Sequence, residues 1–359
     1  MRSLDEVDDV PMSQIRDGVF VVVGGRGSPP PPPPLRDACC TMATLQLLLP
    51  MGGLGSRFSA THSLPKPLIP VDRAGQVPML VEALSSFGEL FGWDGAAHSA
   101  ATPAQAAIAR LAAERLTTIP SRCVRLIFVL RHEHIAAYQL DDKIRALFPA
   151  VSGAATGPSL DVKVAVLDHN TAGAVATCLV AREHILPDVP LVVMDCDLFF
   201  RSRRYLHLLR NQLGRPLPPL PEQQGGAKEE STSPPPRPCL GGLLVHFQSR
   251  DDRYSYARLS SPDSERVVQT AEKQVISSNA LIGAYGFGSG QLFLDCADSL
   301  VAMPLDPAKG RKEYYVSLLF NDVLARGHEV WAVPSDAYFS FGTPGELDAY
   351  LSGDAPSHK

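Results

Sequence analysis

Four apolar runs, separated by segments of helical character, constrain the fold of this chain most strongly. The runs cover residues 45–49, 124–130, 162–167 and 191–194, and the candidate helices cover residues 79–91, 134–147 and 171–184. A largely apolar strand buries both of its faces, which is typical of parallel strands covered by helices. The alternation predicts an α/β fold with a Rossmann-like, doubly wound, mostly parallel mixed sheet.

The second half of the chain contains shorter strand-like segments. Strands are predicted at residues 242–247, 254–259, 267–271, 281–287 and 328–333, and a helix at residues 313–326. This pattern predicts a smaller α+β lobe that completes the sheet. Right-handed crossovers place the loops after the first-half strands along one edge, where ligands bind in such sheets.

Composition divides the chain into a folded unit and less regular segments. Residues 29–34 are six consecutive prolines, so we expect residues 1–41 to be a disordered, proline-rich N-terminal extension. Residues 42–352 are predicted to form one folded domain, followed by a tail at residues 353–359. Two insertions are expected: residues 88–122, alanine-rich with an extra helix near 104–116, and residues 213–238, rich in Pro, Gly, Gln and Glu.

Charge and cysteine content exclude several classes of protein. A net charge of −5 argues against a broadly basic surface for nucleic acid. No apolar run reaches the roughly 18–20 residues needed to span a bilayer. The seven cysteines are scattered and form neither a disulfide framework nor a metal knuckle. The sequence therefore predicts a cytoplasmic protein with no nucleic-acid or membrane partner.

The segment PMGGLGSRF, at residues 50–58, follows the first apolar run and combines three glycines with an arginine. Gly52, Gly53 and Gly55 allow a tight turn that brings backbone N–H groups close to phosphate oxygens. Arg57 adds a planar donor fork for a polyphosphate. Lys66 lies between two prolines, which restrict its backbone. The glycine loop alone is more typical of a tight turn with a solvent-exposed arginine, but its combination with Arg57 and Lys66 favours a phosphate site.

Two further segments carry charges at the ends of predicted strands. Asp195 and Asp197 follow the fourth apolar run, and Mg²⁺ prefers such carboxylate oxygens together with substrate phosphates. A strand-end turn or a helix N-cap is the alternative interpretation. Glu272 and Lys273 are adjacent, so in an extended segment they point to opposite faces and contact separate groups. Without further context they are equally compatible with solvated surface charges.

The motif GGLGSRF followed by PKPLIPV resembles the signature of the sugar-phosphate nucleotidyltransferases, also called nucleoside-diphosphate-sugar pyrophosphorylases. The resemblance extends, with interruptions at the two insertions, from about residue 44 to residue 350. Later landmarks occur in the expected order: TAGA at residues 171–174, VVMDCD at 192–197, AEKQ at 271–274, IGAYGF at 282–287 and FGTP at 341–344.

The resemblance implies a fold of the nucleotide-diphospho-sugar transferase type, in which the smaller lobe binds the sugar. It implies a reaction that joins a nucleoside triphosphate to a sugar 1-phosphate, giving a nucleotide-sugar and pyrophosphate. A homo-oligomer is compatible with this family. The residues with implied catalytic roles are Arg57, Lys66 and Asp197; those implied to bind the nucleotide are Met51, Gly52, Gly53, Gly55 and Gly173; those implied to bind the sugar phosphate are Glu272, Lys273 and Gly283.

The resemblance also implies a Mg²⁺ cofactor held by Asp197, with Asp195 as a second ligand or as a support. One position departs from the family pattern. The family often has a second metal-binding aspartate two residues before the Gly-Thr of the final motif, and Ser340 occupies that position here. We therefore expect metal binding to be weaker, or to be completed by other groups.

Two other functions remain open at this stage. A glycosyltransferase with a related, GT-A-like nucleotide-binding domain would use Asp195 and Asp197 to hold a metal and a nucleotide-sugar, but it would not require Arg57 and Lys66. A non-catalytic relative that binds nucleotide-sugars is favoured only by Ser340 and the insertions.

Overall fold

The computed structural model describes residues 43–88, 123–148, 159–217, 238–306 and 312–354. The predicted N-terminal extension, the extra helix near residues 104–116 and most of both insertions lie outside the described residues. So do residues 355–359 of the predicted tail. The domain boundaries therefore stay predictions.

Strands account for the central layer of the fold. They are β1 (Ala43–Met51), β2 (Cys123–Arg131), β3 (Ser159–Leu167), β4 (Leu191–Met194), β5 (Leu198–Arg201), β6 (Leu240–Gln248), β7 (Ser255–Leu259), β8 (Val267–Glu272), β9 (Asn279–Phe287), β10 (Glu329–Pro334) and β11 (Ala337–Ser340).

Helices cover this layer. They are α1 (Met79–Ser85), α2 (His132–Tyr138), α3 (Leu140–Leu147), α4 (Ala174–Leu179), α5 (Arg203–Asn211), α6 (Gly290–Val301), α7 (Leu319–Ala325) and α8 (Pro344–Ser352), with short 3₁₀ helices at Lys66–Leu68, Arg182–His184 and Val316–Leu318. Among the described residues, no helix has the length and apolar character that crossing a membrane requires.

The main sheet is mixed but mostly parallel, as the sequence predicts. Its strand order is β10-β6-β9-β4-β1-β2-β3. β1 is parallel to β2 and β4, β2 is parallel to β3, and β6 is parallel to β10. β9 is antiparallel to both of its neighbours, β4 and β6, so it alone runs against the other strands of this path. β7 and β8 pair with each other beside β9 and continue the same sheet.

Both faces of the sheet are covered, which makes the fold doubly wound. Successive residues of β1 alternate between two cores: Leu45, Leu47 and Leu49 pack on one face, and Leu48 packs on the other. Gln46 is fully buried, and its amide is satisfied by the backbone of Leu186 and Val189. Such alternation follows from the two-residue period of a strand.

Several helices are shorter than their sequence patterns predict. The predicted helix at residues 134–147 is two helices, α2 and α3, because Gln139 between them has a left-handed backbone with φ of 52°. The predicted helices at residues 171–184 and 313–326 each contain a 3₁₀ turn and a short α-helix. The first predicted helix ends at Ser85, ahead of residue 91.

Elements that the sequence pattern did not indicate surround the ends of β4 and β10. β5 and β11 form a separate antiparallel pair, and α5, α6 and α8 complete the layers. At the base of the second predicted insertion, Leu217 donates to the carbonyl of Pro238 at 3.0 Å, and Leu213 is buried. Residues 213–217 thus pack as part of the fold.

The last helix, α8, packs against the first part of the chain. Arg73 donates to the carbonyls of Leu351 and Ser352 at 2.7 Å each, and the Tyr350 hydroxyl donates to Glu82 at 2.9 Å. A small hydrophobic core connects three parts of the chain: the segment that follows β1, the strand pair of β5 and β11, and α8. Its members are Phe58, Ile69, Val71, Met79, Phe199, Phe341 and Leu347.

Candidate active site

The carboxyl ends of four parallel strands meet at one edge of the sheet. Met51 ends β1 and begins the glycine loop, Arg131 ends β2, the segment from Asn170 to Gly173 follows β3, and Asp195 follows β4. Ligands bind outside this edge in open α/β sheets. The sequence motifs are therefore carried to one place by the topology.

Lys66 begins a 3₁₀ helix, and Pro65 at its N-cap and Pro67 inside it restrict the backbone. Its half-buried side chain lies 5.4 Å from the Phe58 ring centroid, and its ammonium forms an ion pair with Oδ2 of Asp197. Burial alone would lower the pKa of Lys66, but the charge of Asp197 and the hydrogen bond to it outweigh this effect. The pKa of Lys66 is therefore raised above its ordinary value, and the side chain is a cation.

Arg57 and Asp197 meet the same short segment after β11. Nη1 of the exposed Arg57 donates to the carbonyl of Gly342 at 3.4 Å, and the Phe341 amide donates to the carbonyl of Asp197 at 2.7 Å. A Cβ at Gly342 would lie 3.6 Å from Oδ2 of Asp197. The three residues with predicted catalytic roles are thus brought around Gly342.

Asp195 directly follows β4 and lies beside Gly283 on β9; the residue has exposed surface, whereas Asp197 is partly buried. Its backbone amide donates to the carbonyl of Gly283 at 3.1 Å, and its Oδ2 would be 2.7 Å from a Cβ at position 283. Burial raises the pKa of Asp195, and the charge of Asp197 adds to this, while Lys66 opposes it. Gly283 has φ of 85°, so the glycine provides both the left-handed turn and the space for this carboxylate.

Glu272 ends β8 and Lys273 follows it; they take different partners, as the sequence predicts, although the backbone at Lys273 is not extended as the prediction assumed. Glu272 is half-buried and accepts from the Ser317 hydroxyl at 2.8 Å; burial raises its pKa although this hydrogen bond opposes the shift. Lys273 donates to the Tyr315 hydroxyl at 3.0 Å and lies 4.7 Å from the centre of the Tyr315 ring. Its φ of 52° is left-handed, a conformation that a non-glycine residue rarely adopts.

The predicted nucleotide-binding glycines differ in how closely other residues pack against them. Gly173 has φ of 116°, and a Cβ there would lie 2.7 Å from the backbone nitrogen of Tyr314. A Cβ at Gly52 would lie 2.8 Å from both Leu167 and Thr177, so the loop after β1 folds onto the end of β3. By contrast, apart from its two chain neighbours, no atom of the described residues lies within 4 Å of the corresponding position at Gly53.

Ser340 takes part in a network that includes Glu346. The Ser340 hydroxyl donates to Oε2 of Glu346 at 3.0 Å and accepts from the Gly342 amide at 3.2 Å. Glu346 also accepts from the Thr343 amide at 3.0 Å, which forms the capping box of α8, and from Arg253 at 2.8 Å. This carboxylate is therefore neutralised and fully engaged.

Asp197 is the carboxylate beside Gly342 that fits Mg²⁺ held jointly with substrate, because the Glu346 carboxylate is already engaged by Ser340, Thr343 and Arg253. Within the described residues, no group of three or more His, Cys, Asp or Glu residues could hold a metal by itself. The space beside Gly342 is lined by oxygens of Glu346, Ser340 and Asp197 at 3.2, 3.4 and 3.6 Å from the position of a Cβ. Mg²⁺ commonly takes one or two carboxylates and completes its octahedron with phosphates and water.

Arg131 is a site residue that the sequence analysis missed. This buried guanidinium donates to both oxygens of Glu133, at 2.9 and 3.2 Å. Its Nη1 also donates to the carbonyl of Gly52 at 3.1 Å and to Oδ1 of Asn170 at 3.0 Å. A charged residue at the carboxyl end of an apolar run was the available signal. Arg131 ties the ends of β1, β2 and β3 together.

The fold belongs to a known class. The chain matches no protein-family model, and no curated protein matches it at a significant level. Solved structures share its architecture, and two of them are reported as a nucleoside-diphosphate-sugar pyrophosphorylase and a nucleotidyltransferase. The recognition of this fold from the sequence motifs is confirmed.

The alignments with this chain cover nearly the whole length of both structures. A nucleoside-diphosphate-sugar pyrophosphorylase from Vibrio cholerae is 19% identical, with a TM-score of 0.56, and the alignment covers 85% of this chain and 99% of that one. A protein from Bacillus anthracis, provisionally assigned as a glucose-1-phosphate thymidylyltransferase and crystallised with sucrose, is 18% identical, with a TM-score of 0.51 and coverage of 88% and 97%. At these identities the likeness defines the fold.

Proposed function

We propose that this protein is a nucleotidyltransferase that joins a nucleoside triphosphate to a sugar 1-phosphate, releasing pyrophosphate and forming a nucleotide-sugar. The observation that carries the proposal is the meeting of Lys66, Asp197 and Arg57 around Gly342, at the sheet edge where ligands bind. The fold shared with the pyrophosphorylase from Vibrio cholerae supports it.

The proposed reaction requires neutralisation of negative charge rather than proton transfer. An oxygen of the sugar phosphate forms a bond to the α-phosphorus, and the bond from that phosphorus to the oxygen of the leaving pyrophosphate breaks. The attacking oxygen is already anionic, so no strong base is needed. Catalysis then depends on positioning and on neutralising charge.

Lys66 and Arg57 are the cations that could neutralise this charge. Lys66 is held by its proline-flanked turn with a raised pKa, so its ammonium is fixed and charged beside the phosphates. Arg57 is exposed at the mouth and can reach oxygens of the leaving pyrophosphate. Backbone groups from Met51 to Gly55, together with Gly173, are proposed to hold the base and ribose.

Glu272 and Lys273 together suit the acceptor, because one can accept hydrogen bonds from hydroxyl groups and the other is a cation. Glu272 is proposed to accept hydroxyl groups of the sugar, and Lys273, oriented by Tyr315, to bind its phosphate. Mg²⁺, when bound through Asp197, would supply charge neutralisation on the phosphates. Asp195 is then proposed as a supporting carboxylate beside Gly283.

A pyrophosphate-release screen tests the proposal. Wild-type protein is incubated with each nucleoside triphosphate and a panel of sugar 1-phosphates, with and without Mg²⁺. We expect magnesium-dependent pyrophosphate release for at least one pair, and a loss of about 100-fold or more in turnover for Lys66→Ala. A Lys66→Ala variant that works at the wild-type rate would refute the role of this lysine.

The same assay separates the alternatives. Sugar transfer from a nucleotide-sugar without pyrophosphate release would indicate a glycosyltransferase, although that chemistry has no need of Arg57 and Lys66. Tight binding of nucleotide-sugars with no turnover across the panel would indicate a non-catalytic relative, the possibility that Ser340 raises.

A further inference from the structure

One 3₁₀ turn contacts both residues of the proposed acceptor pair, Glu272 and Lys273. Tyr315 is the N-cap of this turn, and Ser317 lies inside it, two residues later. The Ser317 hydroxyl donates to Oε2 of Glu272 at 2.8 Å. Nζ of Lys273 donates to the Tyr315 hydroxyl at 3.0 Å. Each member of the pair therefore has its own hydroxyl partner on the same turn.

The backbone at Lys273 allows two adjacent side chains to reach this turn. Neighbouring residues of an extended strand point to opposite faces, and Glu272 is the last residue of β8. Lys273 has φ of 52°, a left-handed conformation that a non-glycine residue keeps only where its surroundings hold it. Its amide donates to the carbonyl of Tyr254 at 3.1 Å, which fixes the backbone from the other side. Backbone strain of this kind is concentrated at functional sites.

The turn is tied to the strand that carries Glu272. The backbone carbonyl of the fully buried Ser317 accepts from the Thr270 hydroxyl at 2.7 Å. In α7, which follows the turn, the Asn321 side chain accepts from the Thr270 amide at 2.9 Å and donates to its carbonyl at 3.0 Å. These paired bonds resemble those that a neighbouring strand would supply, so β8 and the turn keep one relative position.

Tyr315 orients the Lys273 ammonium and leaves part of it free. The centre of its ring lies 4.7 Å from Nζ. An ammonium has three N–H donors, and among the described residues the Tyr315 hydroxyl is its one hydrogen-bond partner, so two donors remain. The hydrogen bond to Tyr315 raises the pKa of Lys273 although partial burial opposes it, so the side chain is a cation. It therefore presents charge and free donors in a defined direction.

We propose that this turn positions the acceptor site in two independent halves: Tyr315 fixes Lys273 for the phosphate, and Ser317 fixes Glu272 for the sugar hydroxyl groups. The inference rests on the proposed function, for which it names the residues that set acceptor affinity. A lysine side chain has many rotamers, and a ligand that must immobilise them binds less tightly. Tyr315 holds the ammonium before the acceptor arrives, so it acts as a positioning residue.

A double-mutant cycle on Tyr315 and Lys273 tests this inference. Titration calorimetry measures the affinity of the whole chain for each sugar 1-phosphate of the panel. It is run with and without α,β-methylene analogues of the nucleoside triphosphates, which cannot release pyrophosphate. Tyr315→Phe keeps the ring and removes the hydroxyl, and it should weaken the sugar 1-phosphate that wild type binds best by about fivefold. The same change made in Lys273→Met should have no further effect, because the side chain that it orients is absent.

Two further variants complete the design. Ser317→Ala removes the hydroxyl that holds Glu272, so it should weaken the same ligand equally whether Lys273 is present or replaced. Tyr314→Phe is the matched control: the hydroxyl that it removes donates to the carbonyl of Met303 at 2.8 Å, and the affinity should not change. Affinity for the nucleotide analogues should be the same in every variant, which a general loss of structure would not allow.

The outcomes separate this inference from the proposed function. Wild-type affinity in Tyr315→Phe, an equal loss in Tyr314→Phe, or an undiminished effect of Tyr315→Phe on top of Lys273→Met overturns the inference even if pyrophosphate is released. The expected pattern without turnover of any pair supports the inference, and the proposed function then fails alone. If wild type binds no sugar 1-phosphate at millimolar concentration, both are wrong.

Discussion

His246 is expected to make the fold sensitive to mild acid. It lies in β6, where it is paired with Leu281 on β9 and Pro334 on β10, and its Nδ1 has no hydrogen-bond partner among the described residues. Burial lowers the pKa of His246 from its ordinary value of 6.5 to about 4, and the charge of Glu265 only partly opposes this. The folded protein therefore keeps this imidazole neutral.

The sign and size of the effect follow from proton linkage. Because the pKa is lower in the folded state, the unfolded chain binds the proton first as the pH falls below 6.5. The free energy of unfolding therefore decreases until the pH reaches about 4, where the folded state also becomes protonated. Between pH 7.5 and pH 5, this single group lowers the free energy of unfolding by about 2 kcal/mol.

Urea unfolding at pH 7.5 and pH 5 measures this contribution in wild type, His246→Gln and His246→Leu. Either variant can differ from wild type at pH 7.5, so the informative quantity is each protein's own loss between the two pH values. That loss should be about 2 kcal/mol smaller in both variants than in wild type. If both variants lose as much stability as wild type, the assignment of the effect to His246 is wrong.

Three further substitutions test the contacts that shape the site. Gly283→Ala should lower the free energy of unfolding by about 1–3 kcal/mol in urea, since the backbone is left-handed and the new Cβ would press on Asp195; wild-type stability would contradict this. Glu346→Ala should lower the free energy of unfolding by about 1 kcal/mol. Glu346→Gln can still form the capping box and should lower it less, so the melting temperature of Glu346→Gln should be the higher of the two. Arg125→Met should lower the free energy of unfolding by about 1–3 kcal/mol, because Asp161 and the carbonyl of His184 lose a buried donor while Lys163 stays paired with Asp161. The added Asp161→Asn change should recover part of that loss in guanidinium unfolding, and no recovery would argue against the carboxylate as the cause.

The strands were the most predictable part of the fold. A central parallel strand is buried on both faces and is therefore largely apolar, and each of the first four runs corresponds to a strand. β3 lies at the edge of the sheet, where Val166 is exposed, and it was still recognisable from its apolar residues. Helix limits were less predictable because they depend on single backbone conformations. The left-handed Gln139 divides one predicted helix, and no periodicity marks that residue.

The short antiparallel pair of β5 and β11 could not be predicted from local pattern. Each strand has four residues, and the two are far apart in the sequence, so their pairing depends on the finished tertiary structure. The same reason applies to Arg131. It stands where an apolar run ends, like an ordinary strand terminus, and its contacts with Gly52 and Asn170 arise only when three strands have assembled.

The site motifs were predictable because glycine, proline and charge are local signals. Lys66 and Asp197 were each identifiable from their own segments, and the parallel strand order brings the two segments together. What local signals could not indicate was the role of Gly283, which the structure explains by the carboxylate of Asp195 packed against it.

The hydrogen bonds between α8 and the segment after β1 affect when this protein can complete its fold during synthesis. Arg73 and Glu82 emerge early during translation, but their partners in α8 are synthesised about 270 residues later. Gly342, which contacts Arg57, belongs to the same late segment. A ribosome-bound chain therefore carries an unfinished cleft until synthesis passes residue 352, and a messenger truncated shortly before that point would yield protein with its early loops unsupported.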